Sequence, residues 1–338
     1  MYYNISFVVP VYNRPEEMRE LLESLLAQSV PVFEVVVIED GSSISSEAVV
    51  TAFKDLLPLV YFYKENSGPG DSRNYGMKRA QGDFFVILDS DCILPPGYLQ
   101  SVQDFLTSKA VDFFGGSDAA HCSFSSLQKA INFVMTSFLT TGGLRGSKNS
   151  IQKFEPRSFN MGISREAFKV SGGFGLIHPG EDPDLTMRLW ALGFKSSYAE
   201  KAYVFHKRRI SWSLFYKQVY AFGSVRPILM QRYPKYARPT FWLPSTFLFL
   251  CIVVFLFCFL GFFIPLLLVF LYVAILFLVA LYKEKNLKVS FMVVPAFFVQ
   301  MLGYGFGFIK TFITLKMQNL PAEVLFPHLF FKSKDGNH

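Results

Sequence analysis

The sequence is poor in charge and in cysteine. Charged residues make up 17 % of its 338 positions and hydrophobic residues 51 %, whereas a typical soluble domain is about 25 % charged. This balance excludes an intrinsically disordered chain, which is rich in charge and poor in hydrophobic residues. The scarcity of cysteine excludes a disulfide scaffold, and the cysteines lack the spacing of a metal site. We expect all four to be small apolar filler residues: Cys92, Cys122, Cys251 and Cys258.

Acidic residues are missing from one stretch, which we call the basic segment. Residues 207–238 contain eight Lys and Arg and no Asp or Glu. Residues 1–206 have a net charge of −5 and residues 239–338 a net charge of +4, so the overall +7 is an average over unlike parts. Because the excess positive charge is confined to one short segment, the composition does not indicate a nucleic-acid partner. Basic residues commonly flank membrane helices on the cytoplasmic side.

Charge is absent altogether between positions 239 and 282. A membrane-spanning helix needs about 20 apolar residues, so this run of 44 predicts two spans, at roughly 241–260 and 264–282. A third apolar run at 289–309 contains one proline and three glycines, and it is interpreted either as a span or as a re-entrant or interfacial segment. A buried hairpin of a soluble protein is the alternative, but 44 uncharged residues exceed what a soluble core needs.

The distribution of basic residues predicts the orientation of these helices. The basic segment and the 283–288 loop both prefer the cytoplasmic side, so we expect a multi-pass protein of the inner membrane with a cytoplasmic body. Lysines that follow the third apolar run prefer the same side, which conflicts with a third full span and leaves the topology open. Residues 1–206 are predicted to form a cytosolic body, and residues 207–238 an interfacial segment rich in basic and aromatic side chains. Residues 239–316 are predicted to form a membrane domain of two or three helices, and residues 317–338 a tail.

The body alternates between strand and helix patterns. A helix with one apolar face begins at Pro15, and short apolar runs predict buried strands. The predicted strands are Ile5–Val11, Phe33–Ile38, Val60–Tyr63 and Phe84–Leu88. This alternation predicts an α/β fold with a mostly parallel sheet and flanking helices. In such sheets ligands bind beyond the carboxyl ends of the strands.

Acidic residues stand at two of these strand ends. Glu39 and Asp40 follow the second strand, and Asp89 and Asp91 follow the fourth. Carboxylates that meet at one edge repel each other unless a cation or a donor-rich ligand is bound there. Each Asp alone could equally cap a helix or a turn. The Asp-x-Asp pattern by itself therefore indicates a ligand site only weakly.

Six short motifs add specificity because of their order and spacing. They are SFVVPVYN at 6–13, EDGS at 39–42, SRNYG at 72–76, GD with LDSD at 82–91, NMGI at 160–163 and GED at 180–182. Over residues 4–210 the chain resembles the family 2 glycosyltransferases, which have the GT-A fold, a Rossmann-like mostly parallel sheet with flanking helices. The combination is specific although each motif alone is not.

The resemblance implies a role for particular residues. A divalent metal, Mg²⁺ or Mn²⁺, would be bound by Asp91 and, as in some relatives, by His206, which could equally be structural. Asp182 would be the catalytic base of an inverting displacement. The donor nucleotide sugar would be bound by Pro10, Tyr12, Asn13, Asp40, Arg73 and Asp89. The acceptor side would include Asn160, Gly162 and Glu181.

The motifs also bear on the acceptor and the product. A base is needed for a sugar hydroxyl but not for polyprenyl phosphate, so the intact motif at 180–182 favours a hydroxyl of a lipid-linked saccharide or another cell-envelope glycan precursor. Gln218 begins the sequence QVYAF where processive synthases have Q-x-x-R-W, which predicts transfer of a single sugar. A polyprenyl-phosphate glycosyltransferase and an inactive membrane-anchored scaffold stay as alternatives. The Gly- and Ser-rich stretch at 142–151 is interpreted as a lid or as an ordinary surface loop.

The membrane prediction is tested by extraction. We expect the full chain to remain with the membrane fraction through a high-salt wash, because the uncharged run at 239–282 is held by apolar burial that salt does not weaken. Mild detergent should release it. Quantitative recovery in the salt-washed soluble fraction would contradict the prediction.

Overall fold

The structure is a computed structural model that describes residues 2–119, 124–141, 154–207 and 211–331. The predicted loop at 142–151 lies outside the described residues. The chain divides into two compact units, which we treat separately. The sheet unit comprises Met1–His121, Lys148–Lys207 and Phe330–His338, and the helical unit comprises Cys122–Ser147 and Arg208–Leu329.

Eight strands in the described part of the sheet unit form one mixed sheet. They are β1 (Ile5–Val11), β2 (Glu34–Asp40), β3 (Leu59–Lys64), β4 (Phe84–Leu88), β5 (Cys92–Ile93), β6 (Phe113–Ala119), β7 (Asn160–Ser164) and β8 (Ser196–His206). Their order in the sheet is β3-β2-β1-β4-β7-β6-β8-β5. The first four strands pair in parallel, and β7 runs antiparallel to both of its neighbours. The predicted fold class is confirmed, and the bounds predicted for β1 and β4 are the observed ones.

Six helices of the sheet unit flank this sheet. They are α1 (Pro15–Leu26), α2 (Glu47–Ala52), α3 (Pro69–Arg79), α4 (Tyr98–Ser108), α7 (Arg165–Ser171) and α8 (Glu181–Ala191). The helix predicted to begin at Pro15 does so, with two acidic residues in its first turn, where they favour the helix dipole. Strands β1, β2 and β4 are buried almost throughout, because helices cover both faces of a largely parallel sheet.

A glycine sets how closely α3 approaches the sheet. A Cβ atom at Gly76 would lie 2.5 Å from Cδ1 of Ile38 and 2.7 Å from Cγ1 of Val8, so only glycine fits beneath this helix. The close contact fixes α3 against β1 and β2. Because parallel strands end at one edge of the sheet, the first turn of α3 is thereby held near the carboxyl ends of β1 and β2.

The helical unit is built from long apolar helices. Its helices are α5 (Ser126–Thr136), α6 (Phe138–Thr141), α9 (Trp212–Arg232), α10 (Leu243–Phe259), α11 (Ile264–Glu284), α12 (Leu287–Met317) and α13 (Ala322–Leu325). Three segments are long and apolar enough to cross a membrane: Pro239–Phe259, Ile264–Glu284 and Leu287–Met317. The first two coincide with the predicted spans within a few residues. The third run is one continuous helix that contains Pro295.

Helix α9, which forms most of the basic segment, packs closely on α12. Glycines on both helices allow this close approach. Gly223 of α9 lies against the carbonyl of Tyr304 of α12, and Gly307 of α12 lies against Ser224 of α9. A Cβ atom at Gly303 would lie 2.7 Å from Val219. One face of α9 is therefore covered by protein, while its other face exposes aromatic and basic side chains.

A substitution at Gly162 tests how tightly the interior of the sheet is packed. This glycine lies opposite Phe114 in the β6–β7 pair, and a Cβ atom there would lie 2.5 Å from Cδ1 and from Cζ of that ring. We expect Gly162→Ala to destabilise the chain by about 1–3 kcal/mol, because an overpacked core must shift. A thermal melt of the detergent-solubilised full chain measures this effect. Gly97→Ser is the matched control, because a Cβ atom at Gly97 meets nothing within 4 Å and Ser is a favourable helix cap. Equal melting temperatures for the two variants would contradict the prediction.

Candidate active site

Asp91 and His206 meet where two strands end. Strand β5 pairs with β8 so that Cys92 lies opposite His206, which brings the preceding Asp91 beside the imidazole. Oδ1 of Asp91 lies 3.2 Å from Nε2 of His206, and Nη1 of Arg14 donates to Oδ2 of Asp91 at 2.5 Å. The ring of Phe159 stacks on His206 with centroids 4.5 Å apart. The imidazole is thus held in one orientation beside the carboxylate.

The electrostatics of this pair fit a divalent metal ion. Burial opposes ionisation of Asp91, but His206 and Arg14 outweigh it, so the pKa of Asp91 lies well below its usual range. Oδ1 of Asp91 is shielded from solvent and accepts no hydrogen bond from the described residues. The carboxylate of Asp91, a ring nitrogen of His206 and the thiol of Cys92 form a group whose ligand atoms are within 4.8 Å of one another. A carboxylate and an imidazole suit Mn²⁺ or Mg²⁺, which complete their shell with water and phosphate, whereas a thiol suits softer metals.

Arg73 connects the end of β4 to the start of α8. Its buried guanidinium donates to Asp89 at 2.7 Å and to Glu181 at 3.2 Å. Burial opposes the charge of Arg73, but Asp89, Glu181 and Asp182 outweigh it and raise its pKa. The ring of Phe174 lies 5.3 Å from the guanidinium carbon. Arg73 is therefore a fixed cation between residues more than 90 positions apart in the sequence.

The carboxylate of Asp40 organises the loop that leads into α3. Its Oδ1 accepts from Lys64 at 2.5 Å and from the N–H of Ser67 at 3.0 Å, and its Oδ2 accepts from the N–H of Gly68 at 3.0 Å. Both oxygens are thus engaged by the protein. Gly68 has a φ of +95°, which favours glycine, and it caps α3. A contact of Asp40 with a nucleotide stays a prediction, and the observed bonds give it a role in shaping the loop.

Tyr12 and Asn13, two of the predicted donor residues, directly follow β1, and Pro10 lies near the end of that strand. Asn13 adopts a left-handed conformation with φ of +55°, and its Oδ1 accepts from the N–H groups of Ser43 and Ile44 at 2.8 and 2.9 Å. The neighbouring Tyr12 is 52 % exposed, and Pro10 is half-buried. Asn13 therefore ties the end of β1 to the loop after β2, while Tyr12 offers an accessible aromatic face.

The first turn of α8 carries two carboxylates in contrasting states. Burial opposes ionisation of Glu181, but His178, at 3.1 Å, and Arg73 lower its pKa to about 2. Burial and the neighbouring Glu181 raise the pKa of Asp182, against the opposing effects of Arg73 and Arg157 and a hydrogen bond from Ser158. Oδ1 of Asp182 is shielded from solvent and has no hydrogen-bond partner in the described part of the chain. Glu181 is thus a paired anion, whereas Asp182 has a raised pKa and an oxygen without a described hydrogen-bond partner.

Asn160 and Gly162, which were predicted to lie on the acceptor side, are buried inside the sheet. The amide of Asn160 accepts from the hydroxyl of Tyr98 at 2.7 Å and donates to the carbonyls of Ser117 at 3.1 Å and Ala202 at 2.8 Å. Gly162 lies under the ring of an opposite strand. Both residues are fully enclosed by the sheet and its helices. Any effect of them on an acceptor would therefore be indirect, and their assignment to the acceptor side stays untested.

The sequence interpretation missed three residues of this network: Arg14, Lys64 and His178. Arg14 directly follows a motif residue and pairs with Asp91. Lys64 ends β3 at the same sheet edge as Asp40, so the rule of strand ends could have found it. His178 carries no sequence signal beyond its spacing of three residues from Glu181.

Comparisons with known proteins identify a family whose members this chain resembles. A family model described as glycosyl transferase family 2 matches residues 6–171. An uncharacterized glycosyltransferase of Rickettsia conorii is 36 % identical over 184 residues, which are 51 % of this chain and 30 % of the relative. The minor teichoic acid biosynthesis protein GgaA of Bacillus subtilis is 37 % identical over 107 residues, which are 30 % of this chain and 24 % of the relative. The matched part spans less than a third of the length of these two curated relatives.

A solved structure is similar over almost the whole chain. The mannosyltransferase PcManGT from Pyrobaculum calidifontis, solved in complex with GDP-Man and Mn²⁺, aligns with a TM-score of 0.65. The alignment covers 92 % of this chain and 87 % of that one at 16 % sequence identity. At this identity the likeness supports the fold of both units and no more.

The candidate metal ligands are tested with the metal alone. We expect His206→Ala to weaken Mn²⁺ binding to the purified full chain by at least about tenfold, because the imidazole is one of two suitable donors on the protein. Isothermal titration calorimetry with MnCl₂ measures the affinity. Cys92→Ala is the control, because its thiol donates to the carbonyl of Phe159 and should leave the affinity unchanged. Equal binding by wild type and His206→Ala would remove His206 from the site.

Proposed function

We propose that this chain, which belongs to glycosyltransferase family 2, transfers one sugar from a nucleotide diphosphate sugar to a hydroxyl of a lipid-linked saccharide or another cell-envelope glycan precursor. The transfer inverts the anomeric configuration, depends on a divalent metal and is not processive. The chain acts at the cytoplasmic face of the inner membrane. The similarity to GgaA supports the envelope assignment, and the three apolar helices support the membrane location.

The observation that carries the proposal is the state of Asp182. Its Oδ1 has no partner in the described structure, and its pKa is raised, so it can accept a proton from a sugar hydroxyl. The neighbouring Glu181 is neutralised by Arg73 and His178 and does not compete for this role. A base on the face opposite the leaving diphosphate gives inversion in a single displacement.

The donor side is formed by the start of α3 and by Arg73. Backbone N–H groups at a helix N-terminus and a buried guanidinium both favour a diphosphate. Asp91 and His206 would hold the metal, which when bound neutralises the charge that grows on the departing diphosphate. Arg73 restrains Asp89 and Glu181, so the donor edge and the base helix keep a fixed relation during transfer.

Two alternatives differ in what they require of Asp182. A polyprenyl-phosphate acceptor is already an anion and needs no base, so the free and basic carboxylate favours a hydroxyl acceptor. An inactive sugar-nucleotide-binding scaffold has no use for either Asp91 or Asp182. Both residues are present and lie in environments that suit the active enzyme.

Turnover on a panel of donors tests the proposal. The full chain in detergent should release nucleoside diphosphate from one nucleotide sugar in the presence of Mn²⁺ and a lipid-linked acceptor, and EDTA should abolish the release. Asp182→Asn should lower kcat by about 10²–10⁴-fold while donor affinity is kept, because only proton removal is lost. Asp184→Asn is the control on the same helix, because Asp184 pairs with Arg188 at 2.9 Å.

The pH profile separates a base from a structural carboxylate. Asp182 must be ionised to act, and burial raises its pKa, so kcat/KM should fall with decreasing pH and begin to fall above the ordinary Asp value of about 3.9. Unchanged turnover in Asp182→Asn, or a flat profile down to pH ~4, would remove Asp182 from this role. Absence of metal-dependent release with every donor would overturn the proposed function.

A further inference from the structure

The chain returns to the sheet unit after its last long helix. Phe330 forms an antiparallel bridge with Ile177, and the N–H of Phe331 donates to the carbonyl of Leu176 at 2.9 Å. Phe330 and Phe331, which we call the return segment, belong to the sheet unit although they follow α12 and α13 in the chain. The loop that they bind leads directly into the first turn of α8, where the proposed base lies.

The ring of Phe331 touches two loops of the candidate active site. An added Cβ atom at Gly68 would lie 2.5 Å from Cδ2 of this ring, so the ring packs directly on the backbone at the start of α3. The centroid of the same ring is 5.5 Å from that of His178, whose Nδ1 lies 3.1 Å from Glu181. Gly68 provides the space for the ring, because any side chain at that position would occupy it.

We propose that the return segment is part of the active site and fixes the membrane topology. In the first part, Phe331 is a positioning residue that holds the loop before Asp182 against the donor loop at Gly68. In the second part, the chain between Lys207 and Phe330 enters the membrane from the side that holds the sheet unit and returns to that same side. Helix α12 does not cross the membrane. The first part rests on the proposed function, and the second does not.

The topology follows from connectivity. The chain leaves the sheet unit at Lys207 and joins it again at Phe330. Any crossings of a membrane between these two residues must therefore be even in number. Three helices in this interval are long and apolar enough to cross. At least one of them must stay on the side of the sheet unit.

Contacts inside the helical unit identify α12 as that helix. Helices α10 and α11 form a hairpin, whose open end is marked by the start of α10 and the end of α11. Phe291 of α12 contacts Phe277, about 10 Å along α11 from the open end, and Phe308 contacts Trp242 just before α10. The distance between Phe291 and Phe308 along the axis of α12 is about 25 Å. Their contact partners on the hairpin, Phe277 and Trp242, are separated by only about 10 Å along the hairpin axis. Helix α12 therefore lies across the open end.

Burial and charge agree with this placement. The buried residues of α10 and α11 are Ser245, Leu276 and Ala280, all in the open half of the hairpin, whereas most side chains in the closed half are exposed. Lys310 and Lys316 lie in the last two turns of α12. A crossing would carry both lysines to the far side, against the preference of basic residues for the cytoplasm.

Labelling of single cysteines in sealed vesicles tests the topology. In the full chain with its native cysteines replaced by Ala, Glu47→Cys marks the sheet unit and Val324→Cys marks α13, and both positions are exposed. A membrane-impermeant maleimide should label both from the same side of the membrane. Phe262→Cys, at the closed end of the hairpin, should not react from that side. Labelling of Val324→Cys only from the side opposite to Glu47→Cys would overturn the second part.

Kinetics of Phe331 variants test the first part. We expect Phe331→Ala to raise the donor KM and to lower kcat/KM by about 10–100-fold, because a loop displaced by about 1 Å misplaces the reacting groups. Phe331→Tyr should restore most of this loss, and Val324→Cys should match the wild type. A role in stability alone would lower the yield of folded protein without changing the donor KM.

The outcomes of the two tests can be separated. Wild-type donor KM and kcat in Phe331→Ala would overturn the positioning role. Failure of the wild type to release nucleoside diphosphate from any donor would instead overturn the proposed function and with it the first part. Cysteine labelling would still decide the second part, because it requires no turnover.

Discussion

The guanidinium of Arg73 is buried between carboxylates that come from distant parts of the chain. Its contacts with Asp89 and Glu181 connect the end of β4 to the start of α8. An unpaired charge at this depth would cost several kcal/mol, so the guanidinium depends on these carboxylates for its place in the interior. Glycine under α3 lets that helix approach the sheet and carry Arg73 to this position. The end of β4 and the start of α8 are therefore held together by one cation.

The same arrangement explains why the sheet unit is net acidic. Several carboxylates lie together at the strand ends, and three of them are stabilised by different basic partners. Asp40 is paired with Lys64, Asp91 with Arg14 and His206, and Glu181 with Arg73. Asp91 and Asp182 each keep one oxygen without a described hydrogen-bond partner, but Oδ1 of Asp91 lies 3.2 Å from His206 whereas Oδ1 of Asp182 has no such neighbour described. A carboxylate surrounded by paired neighbours is chemically distinct although its residue type is common.

Local sequence patterns predicted the parts of the fold that depend on short-range physics. Apolar runs gave the bounds of β1 and β4, and the uncharged run gave the hairpin of α10 and α11. Contacts between distant segments could not be predicted in this way. The enclosure of Asn160 by three backbone and side-chain partners depends on the crossing of β6, β7 and β8. The pairing of Phe330 with Ile177 likewise carries no local signal, because an isolated bridge has no repeating pattern.

The return segment also orders events in time. Leu176 and Ile177 are synthesised roughly 150 residues before their partners at 330–331, which corresponds to about 8–30 s at ordinary rates of translation. All three long apolar helices emerge from the ribosome within this interval. The sheet unit can thus complete its last contacts only after those helices have been made. A chain that stops short of Phe331 would lack the ring on Gly68, so completion of this contact is coupled to synthesis of the three long apolar helices.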